Sequence, residues 1–137
     1  MESAQISLEL RYLVYTSILL LVLWMPYILV QLFGVGPGKA LSYPEDGAAT
    51  PKWTSRWKRA HYNLVENIAP FAVAVTAGEL LNIHNGITVA CAMIFFWARV
   101  VHPFAQALNI WGLRTVIFAI GSISTLVYLI TILMAAT

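Results

Sequence analysis

The chain has 137 residues, 60% of them hydrophobic and 10% charged, and a mean hydropathy of +0.77. Soluble domains carry roughly 25% charged residues, so the composition excludes an ordinary soluble enzyme and points to a membrane protein. The net charge of +2 is too small and too dispersed for a nucleic-acid surface, and the single cysteine has neither a disulfide partner nor a partner at metal-ligand spacing.

Four hydrophobic segments are predicted to cross the membrane as helices, over residues 10–33, 59–82, 86–108 and 112–135. Lipid offers no partner for open backbone groups, so helices are the natural spanning solution, and the long apolar runs do not alternate as barrel strands do. The first segment has no charge over the 22 residues 12–33, where a bilayer core takes about 20. Its length, with Glu2 and Glu9 ahead of it, argues against a cleavable signal peptide. Residues 34–58 follow as a long connection rich in Gly and Pro, predicted to be irregular. Lys39, Lys52, Arg56 and Lys58 outnumber Glu45 and Asp46 there.

The second span opens on RAHYNLVEN, residues 59–67, a polar run at the head of an apolar segment. On a helix Arg59, Asn63 and Glu66 fall at i, i+4 and i+7, on one face, with His61 turned away. Glu79 lies toward the opposite end, near the polar LNIHNG loop, which holds His84 and no Lys or Arg. In the third span Cys91 reads as a small buried apolar residue. Arg99, His102 and Gln106 repeat the polar pattern at i, i+3 and i+7 near its end. Pro70 and Pro103 remove the bonds to the carbonyls of Glu66 and Arg99, beside these stripes. A short third connection leads to Arg114 at the head of the fourth span, after which residues 115–137 carry no charge.

The basic first and third connections place loops 1 and 3 in the cytoplasm and both termini on the opposite side. Trp53, Trp57 and Trp111 on that side are expected to be interfacial anchors. Helix direction then brings Arg59, Asn63, Glu66, Arg99, His102, Gln106 and Arg114 to one depth. Ionisable groups in a membrane are costly and are usually paired or functional. One arginine can pair with Glu66, which leaves positive charge for an anionic ligand, because arginine forks bind carboxylates in bidentate fashion. The structural alternative is a polar belt, in which Arg59 and Arg114 snorkel and Asn63 links helices. No HxxxH, HExxH or Cys/His cluster occurs, so no metal is expected. Four helices in so short a chain enclose little interior, which favours a homo-oligomer.

R-A-x-x-N-x-x-E at the head of the second span, A-R-x-x-H near the end of the third and R-T after the short third loop resemble the MAPEG family, the membrane-associated proteins of eicosanoid and glutathione metabolism. The resemblance covers essentially the whole chain. It implies an all-α integral membrane four-helix bundle assembled as a homotrimer, with glutathione as cosubstrate held at subunit interfaces on the cytoplasmic side. It implies that Arg59, Asn63 and Glu66 hold the glutathione peptide, that Arg99 and His102 complete the pocket, and that Arg114 stabilises the thiolate with Thr115 beside it. Gln106 stands where several members have a tyrosine, Tyr62 where the prostaglandin synthase has an arginine, and Phe118 where that enzyme has a tyrosine. Prostaglandin synthase activity is therefore not expected. The resemblance implies a glutathione transferase or peroxidase acting on lipophilic electrophiles or lipid hydroperoxides from the surrounding membrane lipids. The alternatives are a non-enzymatic trimeric scaffold or lipid-binding protein, and an enzyme of this fold that uses another anionic thiol or lipid headgroup.

Overall fold

A computed structural model describes residues 5–41 and 50–137, so Glu2, Glu45 and Asp46 lie outside the described residues. All regular structure among the described residues is helical: α1 Leu8–Val22, α2 Met25–Val35, α3 Pro37–Ala40, α4 Lys52–Leu81, α5 Gly86–Ala107 and α6 Leu113–Ala136. α1 and α2 together make the first of four helical segments long and apolar enough to cross a membrane, and α4, α5 and α6 are the others.

The first span is not one continuous helix. Pro26 sits in the first turn of α2 and has no N–H to give the carbonyl of Val22, so the chain turns at Leu23 and Trp24 before helix resumes. The opened Leu23 carbonyl accepts from the indole N–H of Trp57 at 2.8 Å, which ties the break to α4. Trp57 is thus half-buried and packs edge-on against Phe104 at 5.3 Å, whereas Trp111 stays exposed as an interfacial anchor would.

The connection expected to be irregular is partly helical. It holds the single turn of α3 and its last seven residues belong to α4, which starts at Lys52 rather than at 59. Pro51, at the N-cap, supplies the carbonyl that accepts from both the N–H and the hydroxyl of Thr54. Lys52, Arg56 and Lys58 are therefore helical, and Arg56 reaches the carbonyl of Ala107 at the end of α5. Pro70 and Pro103 lie inside α4 and α5 without ending them.

The α4–α5 turn is well specified. Asn82 takes the left-handed conformation at φ 55°, and Ile83 N–H closes on the Gly78 carbonyl at 2.9 Å. Asn85 then caps α5: its side chain accepts from the N–H groups of Ile87 and Thr88, while Thr88 Oγ1 accepts from Asn85 N–H. The α5–α6 turn uses Asn109 at φ 53° and Gly112 at φ 73°, a region open to glycine without strain.

α5 is the central helix and packs on α1, α4 and α6. The main core is built around Phe71 and Phe95, stacked at 4.0 Å, with Leu64, Ala74, Val75, Ala92, Cys91, Tyr128 and Ile132. At the opposite end from the α5–α6 turn, a second polar cluster closes the bundle. Glu9 is 1% exposed and accepts from Thr88 Oγ1 at 2.6 Å, and His84 Nδ1 stands 3.3 Å from the same carboxylate. Ser7 caps α1 and also donates to Glu79, which His84 Nε2 approaches at 3.9 Å. Outside this narrow interior, large apolar side chains cover the helices on all sides, as lipid contact requires.

Candidate functional site at the basic end

The C-terminal half of α5, the start of α6 and the first half of α4 meet at the basic end. There a cleft of about 150 Å³ is lined by Asn63, His102, Gln106, Arg114, Thr115 and Phe118. Each element places its residues for a local reason. Gly112 lets the chain reverse, so Arg114 and Thr115 occupy the first turn of α6, next to the end of α5. His102 and Gln106 are one turn apart on α5, with their Nε2 atoms 3.4 Å apart. Asn63 comes from α4.

Arg99 is not among the lining residues. Its side chain is 1% exposed and lies behind the cleft wall. Nη1 donates to Asn63 Oδ1 at 2.8 Å and Nη2 to Ser122 Oγ at 3.5 Å, while Nε has no partner among the described residues. The guanidinium sits near the rings of Phe95 and Phe118, at 4.9 and 5.4 Å. Such contacts stabilise a cation, yet no carboxylate reaches it. The expected pairing of an arginine with Glu66 is absent: among the described residues the ion pairs all involve His84. Desolvating a guanidinium without a counter-ion is costly, and Arg99 is buried here with none among the described residues.

The structure thus brings Asn63, His102, Gln106, Arg114 and Thr115 together and sets Arg99 just beneath them. It does not bring in Arg59 and Glu66, which are exposed on the flank of α4. The inward face of α4 runs instead through Ala60, Leu64, Phe71, Ala74, Val75 and Gly78. His61 meets a neighbouring helix, with Nδ1 2.8 Å from Tyr27 Oη, and Tyr62 lies beside it under Lys58.

Sequence reasoning missed Asn67, Ser122 and Gly121. Asn67 Nδ2 donates to the Asn63 carbonyl at 2.8 Å, and Ser122 Oγ donates to Asn67 Oδ1 at 3.3 Å. Gly121 is where Arg99 presses against α6. Asn67 was within reach of the helical pattern, since it lies four residues past Asn63. The adjacent Gly and Ser of α6 look like ordinary small residues of a membrane helix.

Among the described residues no three His, Cys, Asp or Glu side chains converge as a metal site. The cleft itself carries the Arg114 cation, the amides of Asn63 and Gln106, the Thr115 hydroxyl and the His102 imidazole, with an aromatic edge at Phe118. No curated protein matches the chain. A family model does, over residues 14–134, nearly the whole sequence and all four spans. The chain belongs to the MAPEG family.

Proposed function

We propose that the protein is a membrane-bound glutathione transferase or peroxidase in which Arg114 stabilises the glutathione thiolate. The observation that carries this reading is the cleft itself. Arg114, Thr115, Asn63 and Gln106 line it, no carboxylate does, and Arg99 lies buried beneath it, in a chain of the MAPEG family. Glutathione is a net anion with two carboxylates, which suits a cationic, donor-rich wall. His102 and Thr115 add polar contacts, and Arg59 and Glu66 hold the peptide where a second copy of the chain would complete the site. The proposed assembly is a homotrimer with loops 1 and 3 in the cytoplasm.

A free thiol is a poor nucleophile at neutral pH. A guanidinium beside it favours the thiolate, with the thiol proton released to solvent. The thiolate then attacks a lipophilic electrophile, forming a carbon–sulfur bond as a leaving group departs with its electron pair or as the opened double bond takes a proton from solvent, or it attacks the terminal oxygen of a lipid hydroperoxide. In the second case the O–O bond breaks, the lipid alkoxide takes a proton from solvent and leaves as an alcohol, the sulfur is oxidised to a sulfenic acid, and a second glutathione converts that to a disulfide with loss of water.

Calorimetric titration with glutathione in detergent, combined with the thiolate absorbance difference, tests this. The wild type is expected to bind and to form thiolate. Arg114→Ala should lose most of the thiolate signal, on the order of tenfold or more, because a charge-assisted contact is worth about 1.5–3 kcal/mol. Absence of binding at millimolar glutathione sinks the reading. One observation favours the alternative of a structural belt: Arg99 Nη1 and Nη2 find partners in Asn63 and Ser122 within their own chain. That alternative predicts no glutathione binding and a loss of assembly when Arg59 or Glu66 is removed.

A further inference from the structure

We infer that Arg99 is a positioning residue: it fixes which end of the Asn63 amide faces the cleft, so that the cleft wall presents hydrogen-bond donors and selects a carboxylate. The ligand's identity rests on the function proposed above; the orientation of the amide does not.

The argument is one of donor and acceptor inventory. A guanidinium has only donors, and a main-chain carbonyl only accepts. Arg99 Nη1 lies 2.8 Å from the side-chain amide of Asn63, so the atom facing it is the oxygen. The Nδ2 group is left for the cleft that Asn63 lines. The far side of the network is anchored in the same way. Asn67 approaches the main-chain carbonyl of Asn63 at 2.8 Å, so its Nδ2 must point there and its Oδ1 toward Ser122. The Ser122 hydroxyl donates to Asn67 Oδ1 or to the Phe118 carbonyl, and its lone pair takes Arg99 Nη2. A cation at one end and a carbonyl at the other leave neither amide free to flip.

Arg99 is also held away from the ligand. A Cβ at position 121 would stand 3.0 Å from its Nη2 and 3.1 Å from its Cζ, so the guanidinium edge rests on the bare backbone of α6. Phe95 and Phe118 bracket it on the remaining sides. The charge therefore acts on the cleft through Asn63 and through space, without reaching the ligand. With Asn63 Nδ2, the Arg114 guanidinium, the Thr115 hydroxyl and the Gln106 amide lining one cleft, a carboxylate finds several donors, whereas an amide in its place would bring its own N–H groups toward them.

Asn63→Asp separates position from packing. The aspartate keeps an oxygen toward Arg99 but turns a second oxygen, in place of the N–H donor, into the cleft. Full-length wild type, Asn63→Asp and Asn63→Leu are purified in detergent, then unfolded thermally and titrated calorimetrically with glutathione and with glutathione whose two carboxylates are converted to amides. Asn63→Asp is expected to unfold at or above the wild-type temperature and Asn63→Leu below it. Asn63→Asp should bind glutathione at least about tenfold more weakly than wild type, and wild type should bind the diamide at least about tenfold more weakly than glutathione. Binding by Asn63→Asp within about twofold of wild type, or unfolding as low as that of Asn63→Leu, overturns the inference. If the wild type binds no glutathione, the proposed function fails, and the two unfolding temperatures alone decide whether Arg99 holds the oxygen of residue 63.

Discussion

A Cβ placed on Gly121 meets three atoms of the Arg99 guanidinium between 3.0 and 3.3 Å. Gly121 is helical and needs no unusual φ, so what it supplies is space. Gly121→Ala is expected to displace the guanidinium from its seat between Phe95 and Phe118, at a cost of about 1–3 kcal/mol from overpacking. Thermal unfolding in detergent checks the cost. A wild-type unfolding temperature would show that the cation does not rest on α6. The presence of Arg99 in the third span, and its placement on one face with His102 and Gln106, is legible in the sequence because three- and four-residue spacing is intrinsic to a helix. Its burial is not legible. That depends on a glycine and a serine over twenty residues later, brought opposite it by the reversal at Asn109 and Gly112. The same holds for Arg59 and Glu66. Their spacing with Asn63 places them on one side of α4, but which part of that side meets neighbours is set by the packing of Ala60 and Leu64 against the other helices.

At the level of elements, the ends of helices are held by chemistry that hydropathy does not report. The break after Val22 falls in the middle of an unbroken apolar run, and its single trace in the sequence is Pro26. The early start of α4 is written in Pro51 and Thr54, in a stretch whose glycines and prolines otherwise suggest a loop. The far end of the bundle shows the energetic weight of such contacts. Thr88 Oγ1 serves two purposes: it completes the cap of α5 and it lies 2.6 Å from the buried Glu9 carboxylate of α1. Thr88→Val keeps the shape and removes both contacts. It should lower stability by about 2–4 kcal/mol, since the buried Glu9 acceptor and the Asn85 N–H each lose a partner, while the Asn85 side chain still caps α5. Ser7→Ala removes a contact with Glu79 and the cap bond from Leu10 N–H, both more accessible than those of Thr88, and should cost less. Denaturation of the two variants side by side decides this. An equal loss for both would mean that the buried contacts of Thr88 contribute no more than the accessible cap and contact of Ser7.

At the scale of the whole molecule, the four helices leave most large apolar side chains on the outside, which lipid accounts for. Lipid does not account for Arg59 and Glu66 on the exposed flank of α4, or for Arg114 and Thr115 on the open side of the cleft. Charges at a lipid-facing position within a span cost several kcal/mol or draw the side chain toward the interface, and a 150 Å³ cleft bounded on one side is too small to enclose a tripeptide. Both difficulties disappear if a second copy of the chain covers that flank, which is the arrangement proposed above. Arg59→Ala and Glu66→Ala then separate a shared site from a structural belt. If the flank holds glutathione, each variant should keep the wild-type mass in detergent, measured by light scattering, while binding glutathione roughly ten- to a hundredfold more weakly, the consequence of losing one charge-assisted contact. If the flank instead holds the copies together, the mass should fall toward that of a single chain. A wild-type mass with wild-type binding in both variants would place Arg59 and Glu66 in the headgroup region, outside the site and outside the interface.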